Sequence, residues 1–294
     1  MGDMALSAFF FAVMAAAVKV LGPRISPQEI ILVRGVLNAA FTFWLLRQKG
    51  LSWRPRRIGL LVLRGALGHF ALSAYLWSVA HQPLATAVLL QQVHPVFTAV
   101  LAAWLLAERP GPRFVPAFLL AVSGVVLLSP AGGGAPVAST AALFVGLLGA
   151  FLSAAAYVTV RDARRTEHEL TIILWFPLTS IPLATAGTLV EGPVAPTATE
   201  WGWLLFVAAA GQLGQVFLTR GLFAVPAGRA VLANPLTVAF GAVIGWLAFA
   251  EPLGPRTLAG GAAIVAAVLL AASSPRQEAG PAPPGPAPPP KQNV

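Results

Sequence analysis

The sequence predicts an all-α polytopic membrane protein with ten transmembrane helices, arranged as two inverted repeats of five. Three observations carry that prediction. The chain has 294 residues, 57% of them hydrophobic and only 10% charged, against roughly 25% charged in soluble domains. Its apolar residues fall into ten runs, each close to the roughly 20 residues a bilayer crossing needs. Finally, a shift of 143 residues lays the sequence onto itself, Pro83 falling on Pro226 and Glu108 on Glu251.

A soluble fold of this size cannot hide so much apolar surface, and the mean hydropathy is +0.78. Soluble enzymes, disordered chains and disulfide scaffolds are excluded together. With no cysteine there are no disulfides or thiolate metal sites. A net charge of +9 would suggest nucleic acid in a soluble protein. Here the basic residues sit between apolar runs, the pattern of cytoplasmic membrane loops, so no nucleic-acid partner is expected.

The ten runs are 4–21, 29–46, 58–80, 84–107, 114–130, 140–160, 170–190, 202–223, 230–250 and 257–273. Only Asp3 precedes the first as a charge, so it lacks the basic flank of a cleaved signal peptide. Placing the N-terminus inside puts fourteen of the nineteen Lys and Arg residues in cytoplasmic loops and span ends. The sequence thus predicts cytoplasmic N- and C-termini and a multi-pass protein of the inner (plasma) membrane. Residues 1–130 form the first repeat, 131–139 a connecting loop and 140–273 the second repeat. Residues 274–294 carry 8 prolines in 21 positions and read as a disordered cytoplasmic tail.

Between 83 and 113 the shift gives 12 identities in 31 positions without a gap, including Glu-x-x-Gly-Pro-Arg twice in register. Five spans per half is an odd number, so the second half enters the membrane upside down. Glu108 then lies at the cytoplasmic face and Glu251 at the outer face. Inverted repeats suit transport because two similar halves can exchange conformations, making inward-open and outward-open states near equivalents.

These residues resemble a known family, the EamA-type transporters of the drug/metabolite transporter superfamily. The resemblance rests on Pro27-Gln28-Glu29-Ile30 followed by Arg34, on Pro95 then Glu108, on Gly124-Val125-Val126-Leu127, and on Glu251 in the second half. It covers residues 4 to about 273, as two EamA-type repeats. Leu63-Arg64-Gly65 resembles the subgroup of S-adenosylmethionine and riboflavin carriers, and the family also contains exporters of amino acids. The resemblance implies a ten-helix carrier whose central cavity is lined largely by spans 3, 4, 8 and 9.

Polar residues in mid-membrane are costly, so they face a cavity or a neighbouring helix. The shift pairs His69 with Gln212 and Gln91 with Asn234, and Gln215 shares a helix face with Gln212. His94 is the second histidine well inside a span. Tyr75, Trp77, Tyr157 and Trp175 supply rings that can stack on a flat ligand or hold a cation. These ten residues are the candidate substrate-binding set; interhelical hydrogen bonding and interfacial aromatic belts are the competing readings. His94-Pro95 and Asn234-Pro235 are polar–proline pairs that open the local backbone ladder. Arg34 and Arg64 lie inside spans and read first as arginines snorkelling to the headgroups; Arg34 alternatively receives a substrate carboxylate. Glu108 and Glu251 end their helices against the macrodipole and read as loop anchors paired with Arg113 and Arg256. No acidic residue lies at mid-membrane, and no cofactor or metal site is expected.

The function expected is secondary transport of a small amphipathic metabolite, an amino acid or related compound, with export favoured. The alternatives are uptake or exchange of a nucleoside-like or flavin-like metabolite, and an integral membrane enzyme or a scaffold without transport. Aspartate-rich motifs and the motifs of intramembrane proteases are missing from the sequence, which argues against an enzyme. The expected partners are a small-molecule substrate and the lipid bilayer, with the chain acting as a monomer. Because the chain has no native cysteine, single cysteines report topology directly. A cysteine at Gly50 or Gln277 is expected to be labelled only from the cytoplasm, and one at Gly133 only from outside. Labelling of Gln277 from outside in intact cells overturns the ten-span count.

Overall fold

A computed structural model describes residues 2–22, 24–105, 113–128, 140–163, 165–224 and 234–272. Among them the regular structure is helical, with no strand. In chain order the helices are α1 (Gly2–Leu21), α2 (Pro27–Gln48), α3 (Ile58–His81), α4 (Leu84–Gln91), α5 (His94–Leu105) and α6 (Phe114–Leu128). They continue as α7 (Thr140–Ala163), α8 (Glu169–Glu191), α9 (Ala198–Ala224), α10 (Asn234–Phe249) and α11 (Pro255–Ala272). The helices α2, α3 and α8, and α7 over Thr140–Val160, are long and apolar enough to cross a bilayer; α1, α6, α10 and α11 contain shorter apolar stretches. Large apolar side chains such as Phe70, Trp104, Val126, Phe144 and Trp246 stay exposed on the bundle surface. Such a surface belongs in lipid, and the protein is a multi-pass membrane protein. The expected loop 131–139 and tail 274–294 lie outside the described residues.

Local chemistry sets the helix ends. Ser26 and Glu29 form a reciprocal capping box at the start of α2, with Pro27 at the first helical position. The fourth span is divided: α4 stops at Gln91 and α5 starts at His94. Pro95 has no N–H to give the carbonyl of Gln91, four residues earlier. The His94 ring takes its place, Nδ1 lying 2.8 Å from that carbonyl oxygen. The polar–proline pair thus breaks the ladder and repairs it with its own side chain. The helix α10 likewise opens on Asn234-Pro235.

The 143-residue shift carries α1, α2, α3, α4–α5 and α6 onto α7, α8, α9, α10 and α11 in turn, and the packing follows it. Helix α1 packs on α9 and α7 on α3; α3 packs on α8 and α9 on α2; α1 packs on α10 and α7 on α4 and α5. The α2–α8 and α6–α11 contacts map onto themselves. The last of these is close because both sides offer glycine: a Cβ on Gly124 would lie 2.8 Å from the Gly260 carbonyl, and the reverse. Small residues at helix crossings are what association in lipid requires.

Polar contacts tie the halves together at both ends of the bundle. At one end Glu167 Oε1 accepts the backbone N–H groups of Arg56 (2.8 Å) and Arg57 (2.7 Å). Arg57 pairs with Asp162 at 2.8 Å. At the other end Arg24 pairs with Glu200, and Glu29 Oε1 accepts the N–H of Val194 at 2.7 Å. Arg24 and Thr197 together hold the Glu200 carboxyl down to about 2. Also at this end, Glu251 pairs with Lys19 at 2.5 Å and accepts the Leu84 N–H that starts α4 at 2.8 Å. Lys19 in turn donates to the Gln82 carbonyl at 2.7 Å.

This corrects one sequence expectation. The partner of Glu251 is Lys19 of α1, not the nearby Arg256. A long-range partner neutralises the carboxylate and also joins three segments, which a partner on the adjoining helix start does not. Gly245 makes room for it, since a Cβ there would meet Glu251 Oε2 at 2.6 Å. Glu251→Gln is expected to lower stability by about 1.5–3 kcal/mol, the scale of a hydrogen bond to a charged group. Adding Lys19→Met to that variant is expected to cost little more, so a double-mutant cycle in thermal melts shows strong coupling. Additive losses would mean the two residues act separately.

Candidate functional site

The break in the fourth span presents a polar patch to α7. Gln91, the last residue of α4, donates from Nε2 to the Ser153 hydroxyl of α7 at 2.8 Å. One turn on, the His94 ring stacks on Tyr157 of α7, with centroids 5.0 Å apart and planes 19° apart. Since a carbonyl oxygen only accepts, the His94 Nδ1 facing Gln91 carries the proton. Tyr157 is about half exposed on the surface of α7. Arg64 of α3 sits over the Phe176 ring of α8, 4.5 Å from its centroid. Its Nε and Nη1 are buried without a hydrogen-bond partner.

A second polar cluster lies between α2 and α8. Arg34 is 7% exposed and borders a small cavity of about 10 Å³ with Asn38, Phe176 and Ser180. Tyr75 of α3 packs against the core cluster that includes Ile31 of α2 and Leu76 of α3. Arg34 does not reach toward the headgroups as its position in sequence suggested. Its Nε lies where a Cβ on Gly211 of α9 would come within 3.1 Å of it. The glycine admits the guanidinium between helices. Gly68, which the 143-residue shift sets against Gly211, leaves room on α3 for the Phe176 ring of α8, which a Cβ would meet at 2.9 Å, and for Arg64 Nη1 of its own helix at 3.1 Å.

His69 is buried and borders a wider, open recess of about 320 Å³ between α2, α3 and α8, with Gln28, Phe70 and Glu191 on its walls. Its Nδ1 has no partner, and its ring meets Phe70 edge-on at 5.3 Å.

The remaining candidates are more dispersed. Trp77 stacks on His81 at the end of α3, with centroids 4.0 Å apart. Trp175 donates its indole N–H to the Trp53 carbonyl at 3.0 Å. Both rings are occupied by contacts within the chain at the ends of the bundle. Gln212 is half-buried on α9 and Gln215 exposed. The side chains of Asn234 and Pro235, and the whole of Glu108, lie outside the described residues. Arg113 is exposed just before α6 and Arg256 exposed at the start of α11.

The structure therefore gathers Gln91, His94 and Tyr157, but leaves the two tryptophans elsewhere. Sequence reasoning missed Ser153, Phe176, Asn38 and Ser180. One signal was available: Asn38 follows Arg34 at i+4, so both share a helix face, and a polar pair on one face of an apolar helix seldom points at lipid. Among the described residues no three His, Asp or Glu side chains converge. The chemistry these residues offer is hydrogen bonding, stacking and positive charge.

Comparison with known proteins agrees. The EamA-like transporter family matches residues 4–129 and 140–273. The pseudopaline exporter of Pseudomonas aeruginosa (strain UCBPP-PA14) is 32% identical over 266 residues, covering 88% of this chain and 91% of its own. A probable terminal-alkyne amino-acid exporter of Streptantibioticus cattleyicolor is 30% identical over 234 residues, covering 72% of each chain. A solved structure matches in fold, with a TM-score of 0.63 over 92% of this chain and 96% of its own, at 17% identity. The chain belongs to the EamA-like transporter family, and it is a transporter rather than an enzyme.

Proposed function

We propose that this protein is a secondary transporter of the inner membrane that exports a small amphipathic metabolite, an amino acid or related compound, by alternating access. In this reading ten spans form two inverted five-helix repeats, both termini face the cytoplasm, and the binding set gathers around Gln91, His94, Tyr157 and His69. The exporter names of the two relatives support the direction and the substrate class.

The observation that carries the proposal is a pair of locks related by the repeat. Arg24 plus 143 is Glu167, and Arg57 plus 143 is Glu200. Arg24 holds Glu200 at one end of the bundle; Glu167 holds the Arg57 backbone at the other. The same two positions in each repeat thus meet twice, once as the Arg24–Glu200 ion pair and once as the Glu167 carboxylate on the Arg57 backbone. Exchange of the packing pairs under the shift supports the reading as well. Such an arrangement gives each mouth its own closure, so that one releases while the other holds, as alternating access requires. Cytoplasmic and outer faces follow from the Lys and Arg distribution.

The test is counterflow in liposomes holding the purified full chain, with a labelled mixture of the amino acids. Wild type is expected to show saturable exchange accelerated by unlabelled mixture on the opposite side. Glu167→Gln and Glu200→Gln are each expected to slow exchange about tenfold, because losing a charged hydrogen bond biases the two states by that order. Flux that rises linearly with concentration, or liposomes without exchange, would overturn the proposal.

A further inference from the structure

Arg34 is a buried cation that no described residue neutralises. Its side chain makes no ion pair and no hydrogen bond among the described residues, and its Nε is buried and unsatisfied. The nearest acid along its own helix, Glu29, is committed to the N–H groups of Val194 and Ser26. Glu200 and Glu251 are held by Arg24 and Lys19. Arginine cannot shed its proton to escape the cost of burial. A charge placed this way either weakens the fold to no purpose or waits for an anion that arrives with a ligand.

The surroundings specify the anion. Ser180 is 1% exposed, and its hydroxyl is buried and unsatisfied in the same cavity. Asn38 adds amide donors from the turn after Arg34. The guanidinium fork matches two coplanar oxygens, and a hydroxyl and an amide can complete their shell. At about 10 Å³ the cavity has room for roughly one water. Only the end of a ligand fits, and the body of the ligand must extend past Phe176, over whose ring Arg64 brings a second unsatisfied guanidinium. The cavity also lies between α2 and α8, helices that the repeat makes equivalent and that pack on each other. Binding sites at such a seam can be presented to either side of the membrane.

We infer that Arg34, with Asn38 and Ser180, forms a carboxylate subsite, and that the transported metabolite carries a free carboxylate that enters it. The inference rests on the transporter reading and narrows its substrate class. Acids are carried; their amides and decarboxylated amines are not.

Thermal melting of the purified full chain tests this with the free amino acids and the matching amino-acid amides as probes. Members of the acid set are expected to raise the wild-type melting temperature saturably, while the amides do not. Arg34→Gln is expected to weaken the half-saturating concentration at least tenfold, and Arg34→Lys to weaken it less. Without ligand, Arg34→Met is expected to melt above wild type, because an uncompensated charge has been removed. A lower melting temperature or failure to fold makes Arg34 a structural strut and overturns the inference. A wild type indifferent to all the acids overturns it, as do equal shifts from amides, an unchanged response in Arg34→Gln, or sodium chloride reproducing the shift at equal concentration. Counterflow that persists in wild type while these melts fail would leave transport standing and remove only the carboxylate subsite.

Discussion

Charge taken out of water must be answered from within the chain, and that constraint organises this protein. In an apolar bundle each buried carboxylate or ammonium costs several kcal/mol unless a partner meets it. Lys19 and Glu251 meet each other and together fix the ends of α1 and α10 and the start of α4. Glu29 is answered by the backbone of a loop in the other half, and the half-buried Glu167 at the opposite end is held in the same way. Because the partners lie far apart in sequence, satisfying each charge also closes the bundle. The exceptions are the arginines Arg34 and Arg64, whose buried nitrogens remain unsatisfied. Among the described residues the other buried charges have partners, which is why the inferred carboxylate subsite is placed at Arg34.

Backbone groups obey the same rule. The carbonyl that Pro95 strands at Gln91 is recovered by the His94 ring, so the break in the fourth span is stable without water. The repair also turns the histidine toward Tyr157 and sets Gln91 against Ser153. A helix break made for backbone reasons thereby gathers polar side chains between α4–α5 and α7. The relation between the two halves extends this, since positions 24 and 57 and their shifted counterparts 167 and 200 join the halves at both ends of the bundle.

Much of this was legible in sequence, and the reason is periodicity. Apolar runs mark the helical membrane segments, the Glu-x-x-Gly-Pro-Arg repeat aligns the two halves of the sequence, and Pro27-Gln28-Glu29-Ile30 with Arg34 and Gly124-Val125-Val126-Leu127 point to the family. The polar–proline pair at His94-Pro95 announced a break because proline removes a particular hydrogen bond. What the sequence did not disclose depends on which side chain reaches which. Glu251 has Arg256 nearby along the chain, and nothing local points to Lys19, more than two hundred residues away. Trp175 looks like a stacking residue until Trp53 is seen to hold its N–H. Arg34 looks like a snorkelling residue because its distance from the span end permits it; only the gap left by Gly211 shows where the guanidinium goes.

The central claim is that the two repeat-related locks close opposite ends and release in turn. Double electron–electron resonance between spin labels reads this most directly, and the absence of native cysteine makes the labelling clean. One labelled pair, Arg54→Cys with Arg165→Cys, spans the end held by Glu167. The other, His81→Cys with Ala195→Cys, spans the end held by Glu200. Adding Glu200→Gln should lengthen the second distance and leave the first short; adding Glu167→Gln should do the reverse. Both distances lengthening together in either variant, or neither changing in both, would contradict the account.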